Sequence, residues 1–208
     1  MSSDPPSGGR SAASEPGPGL DLTIAPGDAE VARQRGELLV GALERRLPGA
    51  REHAHATASY AFATAVQLEL DREVCVLVRE AARLHEVGRI YQGADPAGAE
   101  PASHIQAGYR LALGAGVPEQ ACLWILRCGD RFDRQKDPHG PAARRLPPGI
   151  IAAACEYDTL LHEQPEGGGG RRLAFIDLIG EAGGRLDPLV VDALARVIER
   201  AAGRVEHT

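Results

Sequence analysis

The chain has 208 residues, enough for one domain with a sizeable core, and a formal net charge of −6 with both signs interspersed. No basic stripe argues for nucleic acid, and no apolar run is long enough to span a bilayer or to form a secretory leader. Four cysteines, Cys75, Cys122, Cys128 and Cys155, form neither a C-x-x-C pair nor a disulfide framework, so the sequence reads as a reduced cytoplasmic protein without membrane contact.

Residues 1–27 are Pro, Gly, Ser and Ala with few large apolar side chains, and are expected to form a disordered tail ahead of a single domain over 28–204. Asp28 is a plausible N-cap for a first helix, whose apolar residues Val31, Leu38, Leu39, Leu43 and Leu47 recur at helical spacing until Pro48. A second helix is predicted over 52–68. A third starts after the N-cap Asp71, with Val74, Leu77, Val78, Ala81, Ala82 and His85 on one face. Helices four and five fall near 102–114 and 118–126. A loop rich in Asp, Arg, Pro and Gly then runs over 128–147, before a sixth helix over 149–162. The glycines at 167–170 read as a linker, since no Lys-Ser/Thr follows to make a phosphate loop. Helix seven is expected over 173–181. Helix eight starts at N-cap Asp187 with Pro188 in its first position and runs to about residue 202. No segment alternates with period two, so the fold class is all-α: a bundle of seven to eight helices.

Chemistry concentrates on three histidines in helical stretches, His53, His85 and His104. His85 opens the run Leu84-His85-Glu86-Val87-Gly88-Arg89. A His-Glu pair on an Ala/Leu/Val-rich helix is costly to bury without a partner, and a divalent metal is one such partner. His53 and His55 lie roughly 200° apart around a helix, so only one faces inward, and the spacing to Tyr60, Ala61 and Thr64 favours His53. A single inward histidine is most often a hydrogen-bonded core residue. Three on neighbouring helices are the raw material of a metal site in a bundle.

These residues, in this order, resemble the HD superfamily of metal-dependent phosphohydrolases, and its HD-GYP branch in particular. His85-Glu86-Val87-Gly88-Arg89 stands where that family has H-D-x-G-K, and His104-x-x-x-Gly108 follows at a similar spacing. The stretch from Cys128-Gly129-Asp130 to Asp137-Pro138 falls without a gap on H-H-E-x-x-D-G-x-G-Y-P. Cys155-Glu156-Tyr157-Asp158-Thr159-Leu160 resembles the later helix that carries an Asp ligand and then x-Y-D-A-L. Gly183 to Pro188 resembles a terminal G-x-x-F-D-P. The resemblance covers roughly residues 49–197. It implies an HD-domain helical bundle, a metal-dependent phosphodiesterase activity and cyclic-di-GMP as the family's ligand.

The departures set the expected function. Two octahedral ions need about a dozen ligand positions, so the family's ligands are required together. Here His53, His85 and His104 match, and Glu86 replaces Asp. Cys128 and Gly129 replace paired histidines, Cys155 replaces the late Asp, and only Pro138 of the G-Y-P signature is kept. Arg89 replaces the Lys that assists the leaving group, and arginine neutralises phosphate but is a poor proton donor. An intact dinuclear centre is therefore not expected; the cofactor is either none or a single divalent ion (Fe, Mn or Zn). Cys128 and Cys155 stand at ligand positions and are read either as soft zinc ligands or as small buried hydrophobes. Arg131, Arg134 and Lys136, with Arg144 and Arg145, are candidate phosphate-binding residues, against the reading of a solvated basic loop. The favoured expectation is a catalytically impaired, degenerate HD-GYP-like module that binds a nucleotide or a partner protein in a signalling pathway. The alternative is an active single-metal phosphohydrolase acting on a nucleotide or another phosphoester. A Leu/Val face on the last helix is a candidate homodimer surface.

Overall fold

Alanine sets the spacing of this fold. Residues Ala54, Ala58, Ala61 and Ala65 recur every three or four positions on one helix and are all buried. A stripe of methyl groups lets neighbouring helices approach closely, and the facing surfaces answer with Ala81 and Ala82 on one neighbour and Ala153 and Ala154 on another. The computed structural model describes residues 26–92, 101–164 and 169–205. It contains α1 (Pro26–Arg46), α2 (Ala50–Gln67), α3 (Arg72–Leu84), α4 (Pro101–Gly114), α5 (Glu119–Arg127), α6 (Ala142–Glu163), α7 (Gly170–Gly180) and α8 (Pro188–Val205). Two short 3₁₀ turns, Val87–Tyr91 and Phe132–Arg134, complete it, and no strand occurs among the described residues. Helix α2 is the hub and packs against α1, α3, α6 and α8. No helix among the described residues is long and apolar enough to cross a membrane.

Local signals account for most boundaries. The α1–α2 corner turns at Gly49, whose φ of 89° favours glycine, and Glu44 closes it by accepting from the N–H groups of Gly49 and Arg51 at 3.2 and 2.8 Å. Those two bonds hold the Glu44 carboxyl below its ordinary range. Asp71 precedes α3 as expected, but its backbone carbonyl, not its side chain, accepts the bond from Cys75 N–H. At the head of α8 the Asp187 side chain accepts from Leu189 N–H at 3.0 Å, the anticipated cap.

Several boundaries differ from expectation. Helix α1 begins at Pro26 rather than after Asp28. Residues 1–25 of the expected tail lie outside the described residues, as do 167 and 168 of the glycine run, whose last member, Gly170, opens α7. Helix α6 begins at Ala142, so the basic loop is shorter than 128–147 and Pro147 and Pro148 lie inside the helix. Both prolines fall in its second turn and are buried. Each removes one intrahelical N–H there, but proline's fixed φ is already helical and burial of both rings offsets the loss. Of the Leu/Val residues of α8, Val190, Val191 and Leu194 are buried in the core with Ile198, while Leu189 is exposed.

Candidate metal centre

Helices α2, α3 and α6 each deliver one ligand-type side chain to a single point. His53 comes from α2, His85 from the residue that ends α3, and Cys155 from the middle of α6. One ligand atom from each lies within 4.8 Å of the others. His85 is 7% exposed. Its Nδ1 lies 2.7 Å from the Ala82 carbonyl oxygen, which can only accept, so Nδ1 carries the proton. Burial pushes the His85 pKa down, so the ring is neutral and its Nε2 presents a lone pair. That Nε2 is buried and has no hydrogen-bond partner.

His53 is held from both sides by α6. Its Nδ1 donates to Asp158 Oδ2 at 2.7 Å, and its Nε2 faces Cys155 Sγ at 3.7 Å and Glu86 Oε2 at 3.9 Å. Burial works against a charge on this ring, but the Asp158 carboxylate and Cys155 outweigh it and raise the pKa to about 9. The surroundings thus favour a positive charge at Nε2, which a proton or a metal ion can supply. Inward His53 and exposed His55, with side chains 17% and 50% accessible, match the helical-face argument.

The spacing of these donors is close to that of ligands around one tetrahedral ion. Nitrogen and sulfur ligands at ~2.0–2.3 Å from a shared ion lie roughly 3.3–3.8 Å from one another. The 3.7 Å separation of Cys155 from His53 falls in that range and the 3.9 Å separation of Glu86 from His53 just beyond it. The orphaned Nε2 of His85 is the kind of buried polar atom that a ligand or ion satisfies.

The other anticipated residues are placed differently. Glu86 is engaged by Arg89, whose Nη1 reaches both carboxylate oxygens at 2.9 Å while its Nε donates to Gln92. Burial pushes the Glu86 carboxyl up, but the adjacent His85 imidazole and the Arg89 and His53 cations outweigh it and hold it below its ordinary range. His104 lines a cavity of about 250 Å³ together with His85, Glu86, Cys128, Asp130 and Cys155, and its Nδ1 is buried without a partner. Neither His104 nor Cys128 joins the three converging ligand atoms. The Cys128 thiol donates to the Ile125 carbonyl at 3.1 Å, and burial pushes its pKa up to about 12, so it stays protonated. Of the basic residues, Arg131 is not free for phosphate: it grips Asp133 through Nε and Nη2 at 3.0 and 2.7 Å.

Two residues at this centre carry no role in the sequence reading. Asp158, 3% exposed, orients His53; its signal is a carboxylate one helical turn after Cys155 on an Ala/Ile-rich face. Arg185 lines the cavity and pairs with Glu156. It arrives from the turn before α8, a placement with no local signal. Gly88, by contrast, is explained. A Cβ there would overlap the His104 carbonyl oxygen and crowd the Gly108 nitrogen, so glycine is what allows the 3₁₀ turn to lie on α4.

The fold of this all-helical bundle is that of an HD domain. The HD domain of the L. monocytogenes phosphodiesterase PgpH, in complex with cyclic-di-AMP, is similar to it with a TM-score of 0.55 and 14% identity, over 79% of this chain and 96% of that one. A second structure of the same PgpH domain gives 0.52 and 14%, over 79% and 98%. No protein-family model matches the chain, and no curated protein matches it.

Proposed function

We propose that the chain is a reduced HD domain that holds one divalent ion, binds a phosphate-bearing nucleotide over it, and is impaired in two-metal hydrolysis. The observation that carries this reading is the buried, unpartnered Nε2 of His85 among ligand atoms of His53 and Cys155. A lone pair buried without a donor is costly, and a cation answers it. The mixed nitrogen and sulfur set suits zinc or iron better than magnesium. Glu86 is a fourth donor in reach, in competition with Arg89. When bound, such an ion supplies Lewis-acid polarisation of a phosphoryl oxygen.

The chain's own residues do the orienting. Ala82 fixes the His85 tautomer, Asp158 fixes that of His53, and Arg185, paired with Glu156, lines the cavity where an anionic ligand would lie. Impairment is supported where the family-like pattern would place further ligands. Cys128 there is a protonated thiol bonded to a backbone carbonyl, and Gly129 offers no side chain. The role is accordingly that of a cytoplasmic signalling module, read by a partner protein through its nucleotide-bound state. The order of the motifs favours the HD-GYP branch, which puts cyclic-di-GMP first among ligands to try.

Elemental analysis of protein purified without added metal tests the reading, followed by binding and hydrolysis assays on a panel of nucleotides with Mn²⁺, Co²⁺ or Ni²⁺. The panel includes cyclic-di-GMP and cyclic-di-AMP. About one equivalent of metal, with binding and no product release, is expected. Two equivalents of iron or manganese would overturn it. Release of phosphate or nucleoside would instead establish the second reading, an active single-metal phosphohydrolase, which the unpartnered His104 Nδ1 in the cavity wall favours.

A further inference from the structure

The basic stretch after α5 walls a second, larger cleft of about 690 Å³ beside the metal cavity. Six cations line it, Arg127, Arg131, Arg134, Lys136, Arg144 and Arg145, against two carboxylates, Asp130 and Asp137. This excess stands in a chain whose net charge is −6. Three of the six are already neutralised. Arg127 lies 3.5 Å from Asp130, Arg131 grips Asp133, and Arg145 is paired with Asp187 while donating to the Gly140 carbonyl. Lys136 and Arg144 have no ion pair with a described residue, and Arg134 faces only the Asp133 that Arg131 holds.

The cleft is built as well as charged. Phe132 is buried, its N–H donates to Arg185 O at 3.0 Å, and Asp133 N–H donates to Gly184 O at 2.9 Å, so the loop is strapped to the turn before α8. At Gly140 a Cβ would meet the Asp137 carboxylate, so glycine leaves room for that side chain to lie against the loop. Arg144 and Arg145 also sit in the first turn of α6, a 22-residue helix with no acidic residue there and no side-chain cap. Cations beside the positive end of a helix dipole are unfavourable until an anion offsets them.

We infer that this cleft is a second anion compartment, taking one phosphate group of a ligand whose other phosphate lies at the metal cavity. The two spaces share Gly129 and Asp130 as a common wall, so one extended molecule reaches both. The ligand class is a nucleotide with at least two phosphate groups. Lys136, Arg144 and Arg134 supply the charge-assisted bonds, from the strapped loop and from the first turn of α6. The inference rests on the proposed function for the first phosphate only.

Calorimetry on the full chain tests it, using orthophosphate, inorganic tripolyphosphate, a nucleoside triphosphate and a cyclic dinucleotide at two salt concentrations. Tripolyphosphate is expected to bind at least about tenfold more tightly than orthophosphate. The K136A/R144A double variant is expected to lose about that factor and to show a shallower salt dependence, with metal content unchanged. His85→Ala is expected to lose the metal and to weaken tripolyphosphate less than the double variant does. The stronger of the two organic ligands then identifies the source of the second phosphate. If the double variant binds tripolyphosphate like the wild type, or the wild type does not distinguish it from orthophosphate, the cleft is a solvated surface and the inference fails whatever the metal analysis gives. Loss of affinity in the double variant from a protein that holds no metal would uphold the cleft and sink the metal reading alone.

Discussion

Asp158 accepts the Nδ1 proton of His53 at 2.7 Å from a position one turn beyond Cys155, whose sulfur faces the other nitrogen of the same ring. One helix thus sets both the tautomer of the imidazole and what its free nitrogen meets. A buried carboxylate behind a histidine raises the basicity of the ligating nitrogen and fixes the ring plane. The arrangement makes His53 a site for whichever cation reaches it first, a proton or a metal.

Asp158→Asn keeps the shape and removes the charge. Metal affinity is expected to fall by about 10- to 100-fold, as for other carboxylates that support a ligating histidine. Competition with a chromophoric zinc chelator measures it, and unchanged affinity would show that His53 does not ligate.

The His53 pair also predicts a direction for stability against pH in metal-free protein. The folded pKa of about 9 lies above the ordinary 6.5. The stabilising contribution is therefore complete below the ordinary value and is lost as pH rises through the folded one. Urea midpoints of chelator-treated protein should fall from pH 6 to pH 9.5, and the slope should flatten in Asp158→Asn. A midpoint that rises across that window would contradict the assignment.

The two site cysteines should separate cleanly. Cys155→Asp replaces a soft donor with a hard one, so metal bound during expression in media of matched metal content should shift from zinc toward manganese or iron. Cys128→Ala should leave metal content unchanged, because its thiol is protonated and bonded to Ile125. Equal losses in both variants would point to a two-sulfur site instead.

Gly88→Ala drives a methyl group into the α4 backbone at His104 and Gly108. Overpacking of this kind against main chain costs about 1–3 kcal/mol or more, and it should displace His104. Gly114→Ala, which meets nothing within 4 Å, serves as the control and should stay within about 0.5 kcal/mol. Thermal unfolding of the two variants side by side decides it.

The residues readable from the sequence were those whose signal is local. Helical spacing placed His53 inward, His55 outward and His85 on the buried face of α3, and Asp187-Pro188 marked the head of α8. Pro147 misled, because a proline pair reads as a break, although in a second helical turn the residues behind it can still hold the helix. Asp158 stood in plain view beside Tyr157, yet its role exists only because α2 packs close enough to bring His53 to it. Arg185 and the exclusion of Cys128 from the converging donors depend on how the loop at 128–135 folds back on the turn at 183–186, and no pattern within either stretch encodes that.

Arg83, two residues before His85, is buried and bonded to Glu37 and the Arg33 carbonyl of α1 as well as to Glu80 on its own helix. The guanidinium acts as a bolt through the bundle. It ties the leading helix to the imidazole-bearing corner at the same end of α3. A chain cut before residue 40 would lose that fastening, and the corner that carries His85 would be left without its brace.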